Sequence, residues 1–286
     1  ALVIDLPVDP GQPTPLGWLA VRAEPWGGPY TLWRQVPGSG YRADMAIGRA
    51  AILGETETEL GPGRLWRWNR AQTLVVELYS GALAATDDEG ALAGHGMIAL
   101  EGGDGVWEIV SFRDAELIGP NRYRIGQLLR GLYGSEIAAA RVLAPGARAV
   151  VLDGAMQPLF TGAGDFGAVA RFRLSPAGRD HADPAAVEVL ASAGRAAVLP
   201  LAPVHLRAVR GPAGVALRWL RRARRDGDSW DIGEVPLVEE TEDYRVEILD
   251  GSTVLRTVTT GTAALLYPAA DEIADFGAPQ ARLSVR

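Results

Sequence analysis

Asp104 and Glu108, four residues apart, and the acidic string Asp87-Asp88-Glu89 are the carboxylates that could serve as a general acid and base. Glycosidic cleavage needs two such groups to flank a bound sugar at about 5 to 10 Å, a separation that closeness in sequence does not provide. Asp104 lies in Gly102-Gly103-Asp104-Gly105, where turn chemistry alone explains an aspartate. The three histidines, His95, His181 and His205, stand in three different settings, and no spacing brings metal ligands or a nucleophile to any of them. They read as structural or surface residues. Cysteine is absent, which removes disulfides, thiol nucleophiles and thiolate zinc sites together. The expectation is a chain with no catalytic residues, no resident metal and no cofactor.

Two other stretches point to binding. Asp226, Asp228 and Asp231, set around Gly227, Ser229 and Trp230, could offer oxygens to calcium. The closing glutamate of an EF-hand loop is missing, and Arg221, Arg222, Arg224 and Arg225 come immediately before, so surface pairing of arginine with aspartate is the plainer reading. Arg224, Asp226, Asp228, Trp230 and Asp231 are therefore candidate interaction residues. The whole segment from Arg221 to Asp243 reads as an inserted excursion, basic at one end and acidic at the other. Its apolar centre of Trp230, Ile232, Val235 and Leu237 needs a surface to lie on. Earlier in the chain, Trp26, Tyr30, Trp33, Tyr41, Trp66 and Trp68 could stack on sugars, although aromatic side chains on strands more often anchor a core or a protein contact. Arg64-Leu65-Trp66-Arg67-Trp68 would put both tryptophans on one side of an extended segment with two arginines beside them, which makes Trp66 and Trp68 candidate contact residues.

These residues have to be positioned by strands. Short apolar runs split by glycine and proline recur at Gly17 to Ala23, Tyr30 to Val36, Arg49 to Leu53, Thr73 to Tyr79, Ala147 to Leu152, Val169 to Leu174 and Ala186 to Leu190. The run they are organised around is Val106 to Phe112, apolar on both faces. It is followed by Gly119-Pro120-Asn121 and Arg122 to Ile125, a hairpin expected at the centre of a sheet, with Leu128 to Gly134 leaving the sheet through a glycine turn. Helix signals are confined to Asp87–Ala93 and a turn within Ser135–Val142. The fold expected is all-β: one or two irregular barrel or sandwich domains over 16–199, entered through a strand and linker at 1–15, and a second sandwich over 200–286. In that last part Val204, Leu206 and Ala208, then Val215, Leu217 and Trp219, then Tyr244, Val246 and Ile248 alternate with charged residues, so each set should point inward.

Composition excludes several classes. Hydrophobic residues make up 48% and charged residues 22%, as in a folded globular protein, and no apolar run is long enough to span a membrane as a helix. Lysine is absent: all 28 basic residues are arginine, against 35 acidic ones, for a net charge of −7, a balance unsuited to nonspecific nucleic-acid binding. The chain opens at Ala1 in the middle of an apolar pattern, which suggests a piece of something longer.

Long strings in this sequence resemble a known family. Gly63 to Leu83 (GRLWRWNRAQTLVVELYSGAL), Val106 to Glu136, Ala147 to Ala155 (ARAVVLDGA) and Asp226 to Gly251 look, in that order, like the C-terminal part of the tail-tip host-specificity or "megatron" protein of gene transfer agents and related siphophages. The resemblance implies a structural role in a baseplate hub at the distal end of a tail. It further implies a virion component made in the bacterial cytoplasm, assembled as a homotrimer with other tail-tip subunits and contributing to tail assembly and host attachment. No residues match the glycoside-hydrolase-like barrel of that family. Residues 200–286 are similar to a fibronectin type III domain with a lengthened loop between Trp219 and Tyr244, and the strand expected after Arg282 to Val285 is missing. The other reading, from a different class, is a carbohydrate-binding adhesin module that recognises a host surface polysaccharide.

Overall fold

The computed structural model describes residues 1–8, 15–160, 168–192, 194–227 and 233–286. The chain divides into two compact units, Ala1–Leu199 and Pro200–Arg286.

Unit 1 begins with β1 (Leu2–Ile4), β2 (Pro15–Ala20), β3 (Tyr30–Val36), β4 (Gly40–Ile47), β5 (Leu53–Thr56) and β6 (Leu74–Leu78). The short helix α1 (Asp88–Leu92) follows, then β7 (Met97–Glu101), β8 (Trp107–Gly119), β9 (Arg122–Leu132) and a single helical turn, α2 (Glu136–Ala139). It closes with β10 (Arg148–Val151), β11 (Gln157–Phe160), β12 (Val169–Pro176) and β13 (Val187–Ser192). β5 to β10 form a closed barrel in the order β10-β5-β6-β9-β8-β7. Closure leaves no free strand edge in that sheet.

The barrel explains why the organising run is apolar on both faces. Val110 and Phe112 point into the barrel with Leu74, Val76, Ile98, Leu100 and Ile125, while Trp107 and Ile109 point out, against Ile4, Ala20, Val150 and Met156. The outer layer that covers them is the sheet β1-β2-β11. That sheet uses both faces too: Leu19, Val21 and Leu159 turn away from the barrel and pack with Leu32, Phe172, Leu174 and Val189 of the sheet β13-β12-β3-β4. The β8–β9 hairpin turns through Pro120 and Asn121, with Asn121 in the left-handed region at φ 57°. β9 continues to Leu132, so Leu128 to Leu132 stay in the sheet and do not leave it as the sequence suggested.

Unit 2 comprises β14 (Val204–Gly211), β15 (Gly214–Leu220), β16 (Tyr244–Asp250), β17 (Thr253–Thr260), β18 (Ala264–Pro268), helix α3 (Ala269–Phe276) and β19 (Ser284–Val285). Two three-stranded sheets, β14-β15-β18 and β17-β16-β19, enclose Val215, Leu217, Trp219, Val246, Ile248 and Tyr267. The inward sets expected on β15 and β16 are in this core. The set expected on β14 is not: Leu206 is half exposed and Ala208 is exposed. A register shift between Val204 and Arg207, with His205 at φ 55°, bulges this edge strand and breaks the period on which the expectation rested.

Candidate functional site

Glu108, Asp104 and Asp87, three of the carboxylates that invited a catalytic reading, each make structural contacts. Glu108 is buried in β8, whereas Asp104 lies in the turn before it, accepts a hydrogen bond from the Val106 N–H and pairs with Arg141. Asp87 is the N-cap of α1 and accepts from the Gly90 N–H at 2.7 Å. His95 and His205 are exposed on different units, and His181 stacks on Tyr41 with ring centroids 4.9 Å apart. Among the described residues, no three of His, Cys, Asp and Glu converge as a metal site.

The partner of Glu108 is Arg130, on β9. Arg130 donates from Nε to Glu108 Oε1 at 2.5 Å and from Nη2 to Oε2 at 2.8 Å, and its side chain is wholly buried. The Gly131 N–H adds a third bond to the same carboxylate, at 3.2 Å. The remaining nitrogen, Nη1, reaches across to the Gly61 carbonyl at 3.0 Å, with Gln72 Oε1 at 3.5 Å. A planar fork with fixed donors can make all these bonds at once, which a lysine ammonium could not.

Gly61 and Gln72 are the two ends of one loop, so the buried pair acts as its clasp. Between them the chain is stitched along β9 by bridges Leu65 to Arg130 and Asn69 to Leu128, and to α2 by the Gly63 N–H on the Ala139 carbonyl at 2.8 Å. Gly63 has to be glycine, because a Cβ there would lie 2.8 Å from the Arg130 side chain. Asn69 closes the far end: its Oδ1 accepts from the Ala71 and Gln72 N–H groups, and its Nδ2 donates to Gln72 Oε1.

What the loop displays is Trp66, 70% exposed and held at φ 55°. A bulky residue in that region is uncommon and persists where its surroundings enforce it. Arg64, Arg67 and Arg70 are exposed on the same loop, and Trp68 is half-buried. The extended segment expected here is instead a bend between two bridges, so the two tryptophans do not form a flat pair. Nor do the other aromatic residues make an open platform: Trp26 packs edge-on against Tyr30 at 5.0 Å, and Trp33 and Tyr41 both close on His181.

Of the second candidate stretch, Asp228, Trp230 and Asp231 lie outside the described residues. Asp226 is exposed at φ 54°, and Arg224 is half-buried with a partner. The two ends of the excursion do meet, through Arg221 and Glu242 at 2.8 Å. Sequence reasoning overlooked the Arg130–Glu108 clasp. Half of its signal was present, one charge of opposite sign inside each of two apolar runs, Val-Trp-Glu-Ile-Val and Leu-Leu-Arg-Gly-Leu, but Leu128 to Gly134 was expected to leave the sheet, which took Arg130 away from Glu108.

A family model described as Rcc01698-like, C-terminal, matches residues 51–150. The matched stretch begins just before β5 and ends within β10, so it coincides with the closed barrel and includes both the clasp and the Trp66 loop. Comparison with curated proteins gives no match.

Proposed function

We propose that the chain is a structural component of a phage-like tail tip, the baseplate hub of a gene transfer agent, and that it contributes to tail assembly and host attachment. The observation that carries this reading is the clasped Trp66 loop. A buried ion pair, two backbone bridges and an obligatory glycine are spent on presenting one exposed indole from a closed barrel, which suits a contact anchor better than a reaction site. The resemblance of long strings to tail-tip host-specificity proteins supplies the proposed context: a virion position, neighbouring baseplate subunits and a homotrimer in the particle.

Trp66→Ala in a particle-producing strain tests this. Exposure of the side chain predicts a change in folding stability within about 0.5 kcal/mol. Purified particles should nevertheless contain less of the chain and attach to cells less efficiently. Normal incorporation and normal attachment would defeat the proposal. The adhesin reading has one observation in its favour, the exposed indole beside Arg64 and Arg67. Glycan-array binding lost in Trp66→Ala, with assembly intact, would select it instead.

A further inference from the structure

We propose that the free edge of β14 in unit 2 is a docking site for an extended segment of another protein in which aliphatic and acidic residues alternate. β14 pairs only with β15, so along its other side nothing in its own sheet completes the ladder. The two faces of this edge differ in chemistry. On one, Leu206 and Ala208 open onto a groove of about 320 Å3 whose walls include Val215, Leu217, Leu283 and Val285, with Arg210 and Gln280 as its polar part. On the other, Arg207 lies directly opposite Arg218 in the β14–β15 register, and both line a second groove with His205 and Leu220.

Like charges directly opposite one another on neighbouring strands are destabilising. Three other arginines in this unit are neutralised: Arg210 holds Glu272 through two bonds of 2.7 Å, Arg256 holds Asp275, and Arg286 holds Glu247. Arg207 and Arg218 are both exposed, and neither has an ion pair among the described residues. On the next strand the residue paired with Arg218 is Ala264, which leaves the cationic pair open to an incoming group. Val209, Leu220 and Leu266, each at least half exposed, flank it with aliphatic surface.

A strand added beside β14 satisfies both faces at once. Its side chains alternate, so one set enters the groove against Leu206 and Ala208 while the other stands beside Arg207, with Arg218 within reach of a long side chain. Glutamate or aspartate in the second set receives forked, charge-assisted hydrogen bonds from the two guanidinium groups. The aliphatic flanks, with no aromatic platform among them, favour a protein segment over a sugar chain.

The probe is a short labelled peptide alternating valine with glutamate, titrated against the full chain. It should bind, and Arg207→Glu and Arg218→Glu should each weaken it on the order of tenfold. A valine–lysine peptide should show the reverse preference. Arg42→Glu, at an exposed position in unit 1, should leave affinity unchanged. Equal unfolding midpoints for parent and variants would show that the substitutions spare the fold. The proposal is overturned if the valine–glutamate peptide does not bind, or binds equally well to both charge-reversal variants. It is also overturned if a polyuronate chain occupies the two arginines more tightly, or if the edge is filled by self-association that Arg207→Glu abolishes.

Discussion

Arg130 and Glu108 illustrate how a lysine-free protein handles interior charge. Their mutual attraction is offset by the cost of taking both from water, so the pair itself adds little to stability, but removing one partner strands the other. Arg130→Met should therefore cost about 3–5 kcal/mol in denaturant unfolding, and Arg130→Met combined with Glu108→Leu should recover most of it. A loss well under that for the single substitution would mean that water reaches the pair. Glu272 makes the same kind of contact in unit 2. Hydrogen bonds from Arg210, and then from the Gln280 N–H, hold its carboxyl down at about 2 against a usual 4.5. Because the folded value is the lower one, its contribution is present in full above pH 4.5 and is lost as pH falls through about 2. Unit 2 should lose stability across that window. Glu272→Gln should be less stable at neutral pH and should show a smaller acid-induced drop. An unchanged acid limb in this variant would assign the loss to other groups.

At the scale of elements, Trp219 tests the strand register of the second sandwich. It ends β15 at 7% exposure and meets Tyr244 edge-on at 5.1 Å, so Trp219→Ala should cost about 3–5 kcal/mol. A small effect on the unfolding midpoint would mean the side chain is not in the core. β15 and β16 were legible because their apolar residues alternate without interruption. β3 was legible from its aromatic and β-branched run between Pro29 and Pro37. β4, β7 and β11 were not. β4 mixes Arg42, Ala43, Asp44 and Ala46 with Tyr41, Met45 and Ile47, shows no clean alternation, and becomes a strand by pairing with β3, and β11 carries Pro158. Arg49 to Leu53 was read as a strand, yet β5 begins only at Leu53; Ala51 is buried in the cluster with Ile4 and Ala20, and its N–H donates to the Val21 carbonyl outside any named strand. α3 escaped notice although Asp271 and Glu272 open it and Gly277 closes it at φ 77°. Its anchors are ion pairs from Arg210 and Arg256 on two strands distant in sequence and the packing of Phe276 on the core, and its eight residues are too few for a long periodic pattern. The Trp66 loop was legible as composition only. Its bend depends on Arg130, distant in sequence, and that contact decides which tryptophan is shown to solvent.

For the whole molecule, the barrel coincides with the matched stretch, and its outer face carries the clasped Trp66 loop. We propose this barrel as a building block of a tail tip. A cryo-EM reconstruction of the intact particle tests it most directly. Density for the β5–β10 barrel is expected at the distal end of the tail, in three copies around its axis, with the Trp66 loop against a neighbouring subunit. Purified particles without the chain, or a barrel whose Trp66 loop faces only solvent, would contradict it.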